Sequence, residues 1–292
     1  MKSRNLPILV IAQALCMSGP PAVVLLGGIV GADLAPSPAL ATLPISLMVL
    51  GVALSTIPAA LLMRRIGRRK GFMLAAGLAA AGALLAAWSL TQGSFLFFCL
   101  SILLIGANGA FVQQYRFAAT ESVADEFAGR AVSFVLVGGI FAGYLGPEIA
   151  RRTQDMFSQA LFVGYFVSIA VLYSAAVLLL SLLRDVAPPK ERAHSAGRSL
   201  GEIARQPNYL VAVLAGAASY GVMSFIMTAT PVHMVGGEGF SLDQTAVVIQ
   251  SHIMAMYLPS LITGFLLERL GLFRIMLFGA VLMIACSGLA IV

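Results

Sequence analysis

The chain has 292 residues, of which 60% are hydrophobic and 10% charged, with a formal net charge of +6 and a mean hydropathy of +0.96. A water-soluble domain carries about 25% charged residues, so this composition excludes an ordinary soluble globular protein. The three cysteines, Cys16, Cys99 and Cys286, fall inside apolar runs without metal or redox spacing, so no metal site or cofactor is expected from them.

Nine apolar runs follow one another, at about 6–31, 40–63, 71–91, 94–116, 131–150, 160–183, 207–231, 243–267 and 273–292. Runs of about 20 residues cross a hydrocarbon core about 30 Å thick, and backbone groups in lipid must be satisfied within the segment, so each run predicts a transmembrane helix. Met1-Lys2-Ser3-Arg4 leads into the first run as in a signal peptide, but the run exceeds a signal core in length and is read as an uncleaved first span. Span one carries Gln13 and Ser18, and Pro20-Pro21 disrupts its helix near mid-membrane.

Between spans two and three stands Ala60-Leu-Leu-Met-Arg64-Arg65-Ile-Gly67-Arg68-Arg69-Lys70. Trp88, Phe95, Phe97 and Phe98 cluster at the other end of spans three and four, as an interfacial aromatic belt does. Span four adds Asn108, Gln113, Gln114, Tyr115 and Arg116, with Gln113 at about the depth of Gln13. Span five ends Gly138-Gly139-Ile-Phe-Ala-Gly143-Tyr-Leu-Gly146-Pro147-Glu148. Gly139 and Gly143 predict a small-residue face for close helix approach, and Pro147 allows a bend. Glu148, at the margin of that span, reads either as a proton-linked group or as an interfacial partner of Arg151 and Arg152.

Residues 184–206 form the one long polar stretch: Pro188-Pro189 stops span six, and Ser199–Arg205 predicts a short amphipathic helix. Span seven offers Tyr220, Ser224 and Thr228 on one helical face, and span eight offers Gln250 and His252. Between spans eight and nine, Gly264-Phe-Leu-Leu-Glu268-Arg269-Leu-Gly271-Leu-Phe-Arg274 repeats the earlier turn: Arg65 matches Arg269 at an offset of 204 residues, Gly67 matches Gly271 and Lys70 matches Arg274. A duplicated helical module is a transporter signature.

Of the 18 Lys and Arg residues, 16 lie on the side of the amino terminus, and the remaining pair is Arg151 and Arg152. That split places the amino terminus in the cytoplasm, and it accounts for the basic balance without nucleic acid.

Six spans, a cytoplasmic linker and the two charged turns resemble the major facilitator superfamily, whose turn reads close to Gly-x-x-x-Asp-Arg-x-Gly-x-Arg-Arg. The second copy here carries Glu268 in the acidic place; in the first, Arg64 replaces the acid and Ala60 the leading glycine. Glu121-Ser-Val-Ala-Asp125-Glu126-Phe-Ala-Gly129-Arg130-Ala131 is similar to the family's acid-then-Arg-Gly loop with the last pair reversed. The resemblance implies an all-α polytopic fold: a six-helix bundle over 1–183, a linker over 184–206 and a partial three-helix bundle over 207–292. By the 204-residue offset, spans four to six should recur beyond Val292, so the chain reads as lacking its last three helices.

Gly67 and Gly271 permit tight turns. Arg65, Arg68, Arg69, Lys70, Arg130, Arg269 and Arg274 read either as topogenic charges or as a cytoplasmic latch pairing with acids of the opposite half, such as Glu121, Asp125 or Glu126, with the Glu268-Arg269 copy the better placed. In family members spans one, four, seven and ten line the cavity. The polar residues inside the spans, Gln13, Asn108, Gln113, Arg116, Tyr220, Ser224, Gln250 and His252, are the expected substrate pathway, with snorkelling the alternative for Arg116 and bonding to its own helix for Ser224. Without an ATP-binding motif any drive comes from a gradient, expected to be of protons with Glu148 and His252 as the titrating candidates; with no acid near the centre of a span, facilitated diffusion is the alternative.

The expected function is alternating-access transport of a small organic solute across the cytoplasmic membrane, first as proton-coupled efflux of drugs or metabolites. Uptake of a nutrient or vitamin-like compound, or a non-transporting remnant, is the alternative. An intramembrane enzyme is disfavoured, since no histidine stands near a carboxylate at ligand spacing and no Asp-rich run occurs. The expected partners are the lipid bilayer, the solute and protons, with no obligate protein partner.

Overall fold

The computed structural model describes residues 4–124, 127–157, 160–184, 199–259, 261–262, 266 and 269–289. Span one is two helices, α1 (Asn5–Met17) and α2 (Gly19–Leu34), with the break at Ser18. Pro20 and Pro21 lack the N–H groups that would continue the ladder across that point. A short 3-10 turn (Pro38–Leu40) then leads to α3 (Leu43–Ile66), α4 (Arg68–Thr91) and α5 (Phe95–Val112). Span four continues past a turn at Gln113-Gln114 as α6 (Tyr115–Glu121). Spans five and six are α7 (Ala128–Thr153) and α8 (Val163–Leu180).

In the linker, residues 185–198 lie outside the described set, and α9 (Leu200–Ala204) follows, its amino end closed by Ser199 and Glu202 in a reciprocal capping box. The remaining helices are α10 (Pro207–Val232), α11 (Leu242–Tyr257) and α12 (Leu272–Leu289). Among the described residues eight segments are long and apolar enough to cross a membrane. Span eight, the one expected span not among these eight, begins as the 16-residue α11.

Lipid supplies no hydrophobic force between helices, so packing depends on small residues that let backbones approach. Along α4, Ala75, Ala76, Ala79, Ala80, Ala83, Ala86 and Ala87 are all buried, which seats the helix against α5 and α8. Where α3 crosses α5, Gly51 meets the Leu103 carbonyl and Gly106 meets the Met48 carbonyl, each with no room for a Cβ. At the outer margin Trp88 and Phe97 are exposed and stack edge to face at 5.2 Å. Phe98 departs from the expected belt: it is buried and packs on Phe166 at 5.7 Å.

The amino-terminal helices enclose one continuous core, into which α11 inserts Ala246, Ile249 and Ile253. Span seven packs on α2, where Val232 fills the space beside Gly28, and α11 packs on α7. No residue of α12 is buried among those described, and it touches α10.

Candidate functional site

The break in span one sits among buried polar groups. Gln13 on α1 is 7% exposed and Asn108 on α5 is 2% exposed, and neither Gln13 Oε1 nor Asn108 Oδ1 has a hydrogen-bond partner. One turn above Gln13, Cys16 is approached by Asn108 and accepts from the Tyr115 hydroxyl at 3.6 Å. The Tyr115 ring is held edge-on to Phe72 at 4.6 Å. At the break itself, Tyr165 donates to the Gly19 carbonyl at 2.8 Å, while the buried Tyr173 hydroxyl lies against Gly19 without a partner. Desolvating an unpaired amide or hydroxyl costs about 1–3 kcal/mol. These three unpartnered groups lie around the broken helix of span one.

Asn108 also lines a groove of about 440 Å³ between α3, α4 and α5. Leu61, Leu62, Leu74 and Phe111 form apolar walls, and Arg65 lines it from the last turn of α3. Pro58, inside α3, lines it too and leaves a backbone carbonyl one turn back without its usual donor.

The other expected pathway residues separate from this cluster. Gln113 is exposed, because the helix ends at Val112 and turns before α6. Arg116 is exposed too, with its guanidinium 5.3 Å from the Phe117 ring. Tyr220 is 53% exposed on α10 and Ser224 is half-buried. Gln250 reaches across to the other half, donating to the Tyr144 carbonyl at 3.2 Å. His252 is half-buried, with Nε2 enclosed and without a hydrogen-bond partner.

The repeated turns share one backbone: Gly67 has φ 85° and Gly271 φ 78°. This is the left-handed region that a side chain disfavours, which explains the glycine in both copies. Glu121 takes Arg68 of its own half in a two-point pair, with Arg68 Nε donating at 2.6 Å. Arg130 is exposed and lies 5.9 Å from the Phe127 ring. Arg69 is half-buried, and Arg64, Lys70 and Arg274 are exposed. Asp125, Glu126, Gly264 and Glu268 lie outside the described residues.

The glycines of span five divide between two neighbours. Gly138 and Gly146 seat on span one, against the Val10 and Ser18 carbonyls, with Pro147 buried beside them. Gly139 and Gly143 receive Tyr257 and Ile253 of α11. At the outer end, Glu148 holds Arg152 at 2.6 Å and Arg151 at 3.5 Å, and Arg151 Nε stands 2.9 Å from Asp243 Oδ1 of α11. The contacts between the halves thus extend from Arg151 inward to Gly139, about 18 Å along α7. Among the described residues, α1 has no packing of that extent with α10 or α11. Among the described residues these α7 contacts run from the outer end of the helix to about its middle.

Asp243 was not anticipated from sequence, although Ser241 and Gln244 carry the signal. They form a capping box at the start of α11, which marks the outer end of span eight and places the acid in its first turn.

The family model of the Major Facilitator Superfamily matches residues 8–292. The chain belongs to this superfamily. It is therefore a multi-pass membrane protein of a transporter family, not an enzyme. It is 47% identical over 281 residues to the riboflavin transporter RfnT of Brucella anthropi, covering 96% of this chain and 70% of that protein. Two uncharacterized MFS-type transporters of Bacillus subtilis, YdeG and YddS, are 34% and 30% identical, each over 92% of this chain and 65% of the relative. The chain spans about two thirds of the length of these relatives.

Proposed function

We propose that this superfamily member takes up a riboflavin-like vitamin by alternating access. The observation that carries the reading is 47% identity to a riboflavin transporter across 96% of the chain. The unpartnered amide oxygens of Gln13 and Asn108 support it, since a flavin offers ring N–H and ribityl hydroxyl donors to buried acceptors. Gly138 and Gly146 of span five serve close packing on span one, which is neutral as to direction. The likeness to a vitamin transporter makes uptake preferred to efflux.

For coupling, His252 is preferred to Glu148. Glu148 is held by two guanidiniums, whereas His252 keeps an enclosed nitrogen without a partner. A riboflavin-requiring bacterial strain lacking its own importer tests the reading. Expression of this chain should restore growth at limiting riboflavin, and growth only at the high concentrations that serve the parent strain would reject vitamin uptake.

A further inference from the structure

We propose that Arg151 and Asp243 are the outer gate of the transport cycle, and that Glu148 is the positioning residue that aims Arg151 at its partner. This rests on the transport reading above, but it concerns the two halves rather than the solute.

Three features single out this pair. It joins span five to span eight, Arg151 Nε to Asp243 Oδ1 at 2.9 Å, and so crosses between the halves. It caps the outer end of the seam in which Gly143 takes Ile253 and Gly139 takes Tyr257. It also joins an arginine from the minority pair of basic residues on the outer side to an acid in the first turn of α11.

The contact is built to release. Arg151 Nε makes no aligned hydrogen bond, so the pair is a charge contact and not a directed one. Both partners keep compensation when it opens. Arg151 lies in the last turn of α7 beside Glu148, where a helix carboxyl end favours a cation. Asp243 lies in the first turn of α11, where the amino end favours an anion. Opening thus strands no buried charge, and the halves exchange states at modest cost. Glu148, only 13% exposed, is fixed between Arg151 and Arg152, which ties the Arg151 side chain to the helix face that meets α11.

Thr245 supplies the reporter. It is fully buried on α11, two residues from Asp243, so its labelling from outside reports exposure of that end of the helix. A Thr245→Cys chain with the three native cysteines replaced by serine is labelled in proteoliposomes by a membrane-impermeant maleimide. Arg151→Gln and Asp243→Asn should each raise the labelling rate roughly two- to fivefold, the scale of a partly exposed ion pair. Glu148→Gln should raise it less, and the reversal Arg151→Asp with Asp243→Arg should bring it back toward the parent rate. Glu238→Gln, whose carboxylate pairs with His233 of its own loop, serves as the control and should leave the rate unchanged. Equal labelling in the parent and both single variants would overturn the gate, as would a reversal that labels as fast as the single variants. Because the labelling needs no solute, its outcome holds whether or not the vitamin is the right one.

Discussion

Gly138 and Gly139 are adjacent in sequence and face different halves of the protein. Gly138 lies against the Val10 carbonyl and Gln13 of span one, and Gly139 against the Tyr257 ring of α11. Span five is thereby fixed to its own half on one face and bears on the other half with the next.

That division predicts different outcomes for the same substitution. In Gly138→Ala the new methyl meets backbone, which cannot step aside, so the thermal midpoint should fall by an amount corresponding to about 1–3 kcal/mol. In Gly139→Ala it meets a side-chain ring that can rotate. The midpoint should change less, and outward labelling of Thr245→Cys should rise. Thermal melts read beside labelling rates separate the two.

Asn108→Leu reverses the usual sign of a core substitution. The amide oxygen is buried without a partner, so replacing it with an apolar side chain of similar size removes a desolvation cost. Stability in detergent should hold or rise. The KM for riboflavin should rise by about tenfold, the equivalent of one good hydrogen bond of about 1.4 kcal/mol. A loss of stability with unchanged KM would assign Asn108 to packing.

His252→Asn tests coupling. The variant should still equilibrate solute across the membrane but lose accumulation driven by an imposed proton gradient, measured as the ratio of gradient to no-gradient uptake. An unchanged ratio would remove His252 from the coupling step.

The Arg68–Glu121 pair lies within one half, so it should support the fold without gating. Its side chains are 20% and 23% exposed, and removal of either should cost about 1–2 kcal/mol in a chemical or thermal melt. Outward labelling of Thr245→Cys should stay at the parent rate in Arg68→Gln.

Much of the fold was legible because membrane helices advertise themselves by apolar length, and because Gly67 and Gly271 mark turns that only glycine adopts easily. The break at Ser18 was legible in Pro20-Pro21. The site was less so. Gln13 and Gln113 share a depth in sequence, but the turn after Val112 puts one inside and the other on the surface. Helical depth carries no information about which way a side chain faces once a helix bends. The Arg151–Asp243 contact joins residues far apart in the chain, and nothing local in either segment names the other.

Inward transport of a riboflavin-like vitamin is what the uptake of radiolabelled riboflavin into proteoliposomes containing this chain would decide. Saturable accumulation, suppressed by unlabelled riboflavin and weakened by Asn108→Leu, is the expected outcome. Accumulation no greater than in protein-free liposomes would contradict it.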